Sequence, residues 1–342
     1  MYLEEEVLIN DHAPPVHIAA SLGHTDILSF LIDTGFDTGA RGVDHDTALH
    51  CAAMNGQADS LQLLLDAEAE REARDLDQKT PLHLGAAHGH IAVTVALIRA
   101  GADIKARDMD QKTPLHWGAA HGHMVVAVEL FRSGADVEAR DMDERTPLHW
   151  AAMNGHTEMM NLLIGEEADV QAKDMDAKTA LHWAALRGHR EAAITLLRAG
   201  GGVNALDKNV NTPLHWAVSE GHTKVAKELV TAGANLEALN VSLSTPLHGA
   251  ARFGHTALLK VLIVAGADID ALDEEHKAPL HWAVHSGKIE AVRALIDTGA
   301  NIHAQTKDQN TPLHVATLKG HTDVVLLLIE AGVDIEAKLK TK

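Results

Sequence analysis

Twenty-five histidines, aspartates paired two residues apart and a single cysteine are the groups in this 342-residue chain that could do chemistry. Imidazoles bind zinc or move protons when three or four ligands converge, and a thiolate can act as a nucleophile beside a base. The spacing disperses these groups instead. Ten histidines recur every 33 residues, at His17, His50, His83, His116, His149, His182, His215, His248, His281 and His314. Eight more follow a glycine in the same step: His24, His90, His123, His156, His189, His222, His255 and His321. Among the rest, His88 and His121 stand beside His90 and His123 and could chelate weakly, which keeps a metal-binding protein as an alternative reading. The pairs Asp75/Asp77, Asp108/Asp110, Asp141/Asp143 and Asp174/Asp176 lack the compact spacing of a calcium loop and read as a solvated acidic rim. There is no Gly-rich phosphate loop, serine elbow or Cys-His pair. No catalytic residue, metal ligand or cofactor is assigned, and the chain is read as a non-enzyme.

The elements that carry these residues follow from the same period. In residues 108–140, Thr113 stands where a helix cap is needed and Pro114 at the first helical position, where its missing N–H costs nothing. The helix is predicted to reach about His121 and to stop at Gly122. A second helix is predicted over Met124 to about Arg132, with Val125, Val128 and Leu130 at helical spacing and Gly134 as its left-handed stop. A polar, Asp-rich connection then leads to the next Thr-Pro. Ten such units cover residues 9–338, with boundaries at 9–41, 42–74, 75–107, 108–140, 141–173, 174–206, 207–239, 240–272, 273–305 and 306–338. An N-terminal extension (1–8) and a C-terminal tail (339–342) complete the chain. A repeat of this length is an all-α solenoid unit that buries its apolar face only against its neighbours.

The frame Asp-x-x-x-x-Thr-Pro-Leu-His-x-Ala-Ala-x-x-Gly-His, followed by an apolar helix ending in Gly-Ala-Asp, resembles the ankyrin repeat family over essentially the whole chain. The resemblance implies antiparallel helix pairs, connections projecting as β-hairpin fingers, and inner helices that with the fingers grip partners. It also implies that the Thr-Pro-Leu-His histidines are structural, bonding the capping threonine and the next repeat's backbone. Asn204 matches an asparagine that is hydroxylated in some members. Family members usually carry Gly where this chain has His45, Gln78, Gln111, Glu144, Ala177, Val210, Leu243, His276 and Gln309, which puts the finger geometry in question. Glu68 and Glu167 replace a helix-ending Gly, Ala278 replaces a capping Thr, Pro14 disturbs the first repeat, and Gly200-Gly201-Gly202 marks a plausible bend.

A net charge of −19 argues against nucleic acid and anionic membranes as partners and favours basic segments. Cys51 alone forms no intramolecular disulfide, Met1–Glu6 lacks the layout of a signal peptide, and no apolar run spans a membrane. A soluble, cytoplasmic protein is expected, with export into a host cell left open. The final helix reads Val324-Val325-Leu326-Leu327-Leu328-Ile329, apolar all round, so a monomer with an end-to-end contact through the last repeat, or a fragment of a longer protein, is expected.

The candidate partner-binding residues are apolar or basic. Trp117, Trp150, Trp183 and Trp216 share a register with Trp282, and Leu76, Met109, Met142 and Met175 share one on the fingers. Lys112, Arg145 and Lys178 stand nearby, as do Met153 and Leu186 at helix ends. These residues predict a scaffold or adaptor binding a protein or extended peptide across repeats 3–7. The alternative is a targeting or regulatory module of a larger enzyme, channel or exported effector.

Overall fold

The computed structural model describes residues 14–334; the expected extension 1–8 and tail 339–342 lie outside them. It contains 20 helices, and among the described residues there is no strand. None of these helices is long and apolar enough to cross a membrane. The chain divides between Met175 and Asp176 into two compact units. Unit 1 holds α1 (Pro15–Leu22), α2 (Thr25–Asp33), α3 (Ala48–Met54), α4 (Ala58–Asp66), α5 (Pro81–Ala87), α6 (Ile91–Arg99), α7 (Pro114–His121), α8 (Met124–Arg132), α9 (Pro147–Asn154) and α10 (Thr157–Gly165). Unit 2 holds α11 (Ala180–Arg187), α12 (Arg190–Arg198), α13 (Pro213–Ser219), α14 (Thr223–Thr231), α15 (Pro246–Phe253), α16 (Thr256–Val264), α17 (Pro279–His285), α18 (Ile289–Asp297), α19 (Pro312–Lys319) and α20 (Thr322–Glu330). Within each unit, odd-numbered inner helices pack on one another and even-numbered outer helices do the same.

Within each unit, histidines of the Thr-Pro-Leu-His frames lock one repeat to the next. In α7 the Thr113 N–H donates to His116 Nδ1 at 3.0 Å, so Nδ1 must be the acceptor and Nε2 carries the proton. Nε2–H then donates to the Arg145 carbonyl at 3.1 Å, 29 residues ahead. Burial pushes the pKa of His50, His83 and His116 down to about 4 and lowers that of His215, His248 and His281. The threonine works differently from a simple cap: its Oγ1 lies 2.9 Å from His116 Nδ1. It also accepts the helix N–H at Thr212 (3.4 Å) and Thr311 (3.5 Å). Pro14 has neither hydroxyl nor N–H, and His17 Nδ1 is accordingly left buried without a partner.

The second histidine set ties backward. His123 Nε2 donates to the Ala87 carbonyl at 2.9 Å, 36 residues behind, and His90, His156, His222, His255 and His321 repeat the bond. Gly122 (φ +74°) makes room: a Cβ there would lie 2.8 Å from the His156 ring.

The fingers are turns joined singly, where the resemblance implied hairpins. Asp108 N–H bonds the Lys112 carbonyl and Gln111 N–H bonds the Asp108 carbonyl, each at 3.0 Å. Only Met109 N–H reaches the preceding finger, at the Asp77 carbonyl (2.8 Å). One backbone bond per finger is too few for a strand ladder. All nine residues at the usual glycine position take positive φ, from 52° to 63°, as do Glu68 (57°) and Glu167 (66°). The geometry thus persists without glycine, at roughly 1 kcal/mol of local strain per position. At the other end of unit 2, α20 buries Val324, Leu327 and Leu328 and exposes Leu326 and Ile329.

Candidate partner-binding surface

The paired aspartates correct the reading of a solvated rim. Asp108, Asp141, Asp174, Asp207 and Asp273 are buried. Asp108 Oδ1 accepts the N–H groups of Asp110 (3.0 Å) and Lys112 (2.8 Å), closing the finger. Its Oδ2 accepts the Trp117 indole N–H at 2.9 Å, and the same bond joins Trp150 to Asp141, Trp216 to Asp207 and Trp282 to Asp273. The buried carboxylate needs these donors, and the indole reaching from the inner helix serves its second oxygen. The second aspartate of each pair makes an ion pair: Asp77, Asp110, Asp143 and Asp176 pair with Lys79, Lys112, Arg145 and Lys178 at 2.7 to 2.9 Å.

Those cations also face the indoles. Lys79 and Lys112 Nζ lie 4.7 and 5.1 Å from the Trp117 centroid, and Lys112 lies 4.6 Å from that of Trp150. Within unit 1 this alternates cation and ring from one finger to the next. In unit 2 Lys178 stands over Trp183 (5.5 Å) and Trp216 (5.2 Å). Cation–π contact of this kind is worth about 0.5–1 kcal/mol where exposed and fixes ring orientation. The tryptophans are thus held by their own fingers as well as by packing. Trp117, Trp150 and Trp216 are half-buried, whereas Trp183 is 8% exposed and offers little surface.

The finger row is the exposed part. Leu76, Met109, Met142 and Met175 are 49–59% exposed, each presented by a backbone bond to the preceding finger. Met153 and Leu186 are half-buried at the ends of α9 and α11. Unit 1 therefore brings together Leu76, Met109, Met142, Met175, Trp117, Trp150, Met153, Lys112 and Arg145; Lys178, Trp183, Leu186 and Trp216 belong to unit 2.

The histidine pairs are stacked. His88 and His90 lie 6.1 Å apart with planes inclined 12°, and His121 and His123 lie 6.0 Å apart at 24°. Near-parallel rings direct their lone pairs side by side, and His90 and His123 already commit Nε2 to carbonyls. At the start of unit 1, ligand atoms of His17, Asp46 and Cys51 lie within 4.8 Å of one another. The cluster is joined by hydrogen bonds: His17 Nε2 to the Asp46 carbonyl (3.1 Å) and Cys51 Sγ to Asp46 Oδ2 (3.0 Å). Burial raises the thiol's pKa and keeps the donor protonated.

Sequence reasoning missed the structural aspartate and the cation ladder. Their signal was present: Asp and Trp stand nine residues apart in five of the repeats, with Lys or Arg four residues after the Asp in four of them. A family model described as ankyrin repeats (3 copies) matches residues 4–75, 56–141, 82–174, 115–207, 148–240, 195–273 and 247–338. No curated protein matches the sequence.

Proposed function

Because the chain belongs to the ankyrin repeat family, whose repeats are generally protein-interaction modules, we propose that it is a non-enzymatic scaffold binding a protein or extended peptide on its finger and inner-helix surface. The observation that carries this reading is the row Leu76, Met109, Met142 and Met175, half-exposed apolar side chains on rigid turns. In unit 1, Trp117, Trp150 and Met153 extend that apolar surface, and Lys112 and Arg145 border it. In unit 2, Trp216 and Leu186 form the corresponding surface, with Lys178 and Trp183 buried beneath it. Basic segments of a partner would meet the net charge of −19, although the aspartates at the tips are already paired.

Peptides selected from a random display library on the full chain give the test. The double substitution Met109→Ser and Met142→Ser is expected to weaken the selected peptides at least tenfold while leaving the thermal midpoint unchanged. Unaltered binding would place the site elsewhere and defeat the proposal. The methionines are the cleaner probes, since replacing Trp150 also removes the donor to Asp141.

A further inference from the structure

Three repeats of unit 1 lack the indole that the other two carry: Ile18, Cys51 and Leu84 stand in the register of Trp117 and Trp150. Where Trp117 donates to Asp108 Oδ2 at 2.9 Å, Leu84 has nothing to donate to Asp75, whose Oδ1 accepts the Lys79 N–H at 2.8 Å. The space is open. A cavity of about 310 Å³ lies there, walled by Met54, Leu76 and Leu84 and reached by the carboxylates of Asp46 and Asp75. That volume suits a side chain rather than a water molecule.

The charge has changed as well. Asp46 occupies the register that holds Lys79, Lys112, Arg145 and Lys178 in the following repeats. Its own hydrogen-bond donor, the Cys51 thiol, is neutral. Asp44, Asp77 and Lys79 also line the cavity, and Lys79 is paired with Asp77 at 2.9 Å. Arg41 and Arg74 hold finger carbonyls with Nη1. The site thus combines a slot left by a missing flat ring, a carboxylate oxygen without the N–H its counterparts receive, and an excess of negative charge.

We propose that this cavity receives the arginine side chain of a bound peptide. A guanidinium is flat, permanently charged and rich in N–H donors, so it replaces the absent indole N–H and answers the charge of Asp46 and Asp75. Its methylenes lie along Met54, Leu76 and Leu84. The occupant as part of a peptide rests on the function proposed above, since Leu76 belongs to both surfaces. Unit 2 supplies a contrast. Gly249 also vacates the tryptophan register, leaving a cavity of about 260 Å³, but Asn211, Asn240, Ser242 and Ser244 line it and Arg252 already stands there. No carboxylate lines that cavity to offset Arg252, whereas Lys79 in the first is outweighed by Asp44, Asp46, Asp75 and Asp77.

Methyl NMR of the full chain, titrated with acetyl-arginine amide and with the neutral isostere acetyl-citrulline amide, tests the assignment. Shifts at Met54, Leu76 and Leu84 are expected for arginine, with citrulline at least tenfold weaker. Leu84→Trp, which installs the indole found in the neighbouring repeats, should abolish binding, and Asp75→Asn should weaken it at least fivefold. Equal affinity for citrulline, binding that persists in Leu84→Trp, or no shift at saturating arginine would each overturn it. Loss of this site with Met109 and Met142 still required for peptide binding would defeat the pocket alone.

Discussion

Two registers of the finger exchange their chemistry between the units. In unit 1, Arg41, Arg74, Arg107 and Arg140 each donate from Nη1 to the carbonyl 33 residues ahead, at 2.5 to 2.8 Å, and to a carbonyl of their own finger. Two residues on stand the apolar Val43, Leu76, Met109 and Met142. Unit 2 places Leu206, Leu239 and Leu272 in the arginine register, 44–50% exposed, and Lys208, Val241, Glu274 and Lys307 at the tips. Guanidinium groups brace the fingers in unit 1 and leave an apolar row outward. In unit 2 the same backbone carries its apolar row where no brace exists. One repeat geometry thus supports two different surfaces.

Acid should expose the largest effect. His50, His83 and His116 are neutral in the fold with pKa near 4 against 6.5 unfolded, so the unfolded chain binds more protons below pH 6.5. Stability is complete above that value and falls as pH drops toward 4, by about 3 kcal/mol per histidine once protonated. Hydrogen exchange should show α3, α5 and α7 losing protection over this window. Retained protection at pH 4 would contradict the buried neutral imidazoles.

Replacing Trp117 with Phe should cost about 2 kcal/mol, because Asp108 Oδ2 is left buried without its donor. Trp216→Phe in unit 2 should cost a similar amount through Asp207, and chemical denaturation compares them. A smaller step separates the units directly: Arg107→Leu, which imports the unit 2 residue, should lose about 1 kcal/mol. Smallest is relief of the left-handed positions. Gln111→Gly should raise stability by about 0.5 kcal/mol, and Val210→Gly by about 1 kcal/mol, since a β-branched residue tolerates positive φ (59°) least. Equal gains would show that side-chain branching does not matter there.

The period and its punctuation made the helices legible almost to the residue: Met124–Arg132 and Pro114–His121 are where Gly122, Pro114 and Gly134 require them. The exposed methionines were legible because a turn has no core to fill. The role of Asp108 was hidden by composition, since an Asp-rich turn looks solvated until the indole nine residues later is seen to reach it. The cavity at Leu84 was less visible still. It consists of what Leu84 and Cys51 lack, and becomes apparent only when Asp75 is found beside them without an indole donor.

The two histidine sets also bear on how such a chain can change its length. One imidazole reaches 29 residues forward and the other 36 residues back, so each tie bridges a repeat boundary in opposite directions. A single inserted or deleted residue between their ends misplaces the backbone acceptors on both sides, whereas duplication or loss of a whole 33-residue segment carries donors and acceptors together. The gene can therefore lengthen or shorten by complete repeats, and the ten frames without an intervening insertion are the record of that constraint.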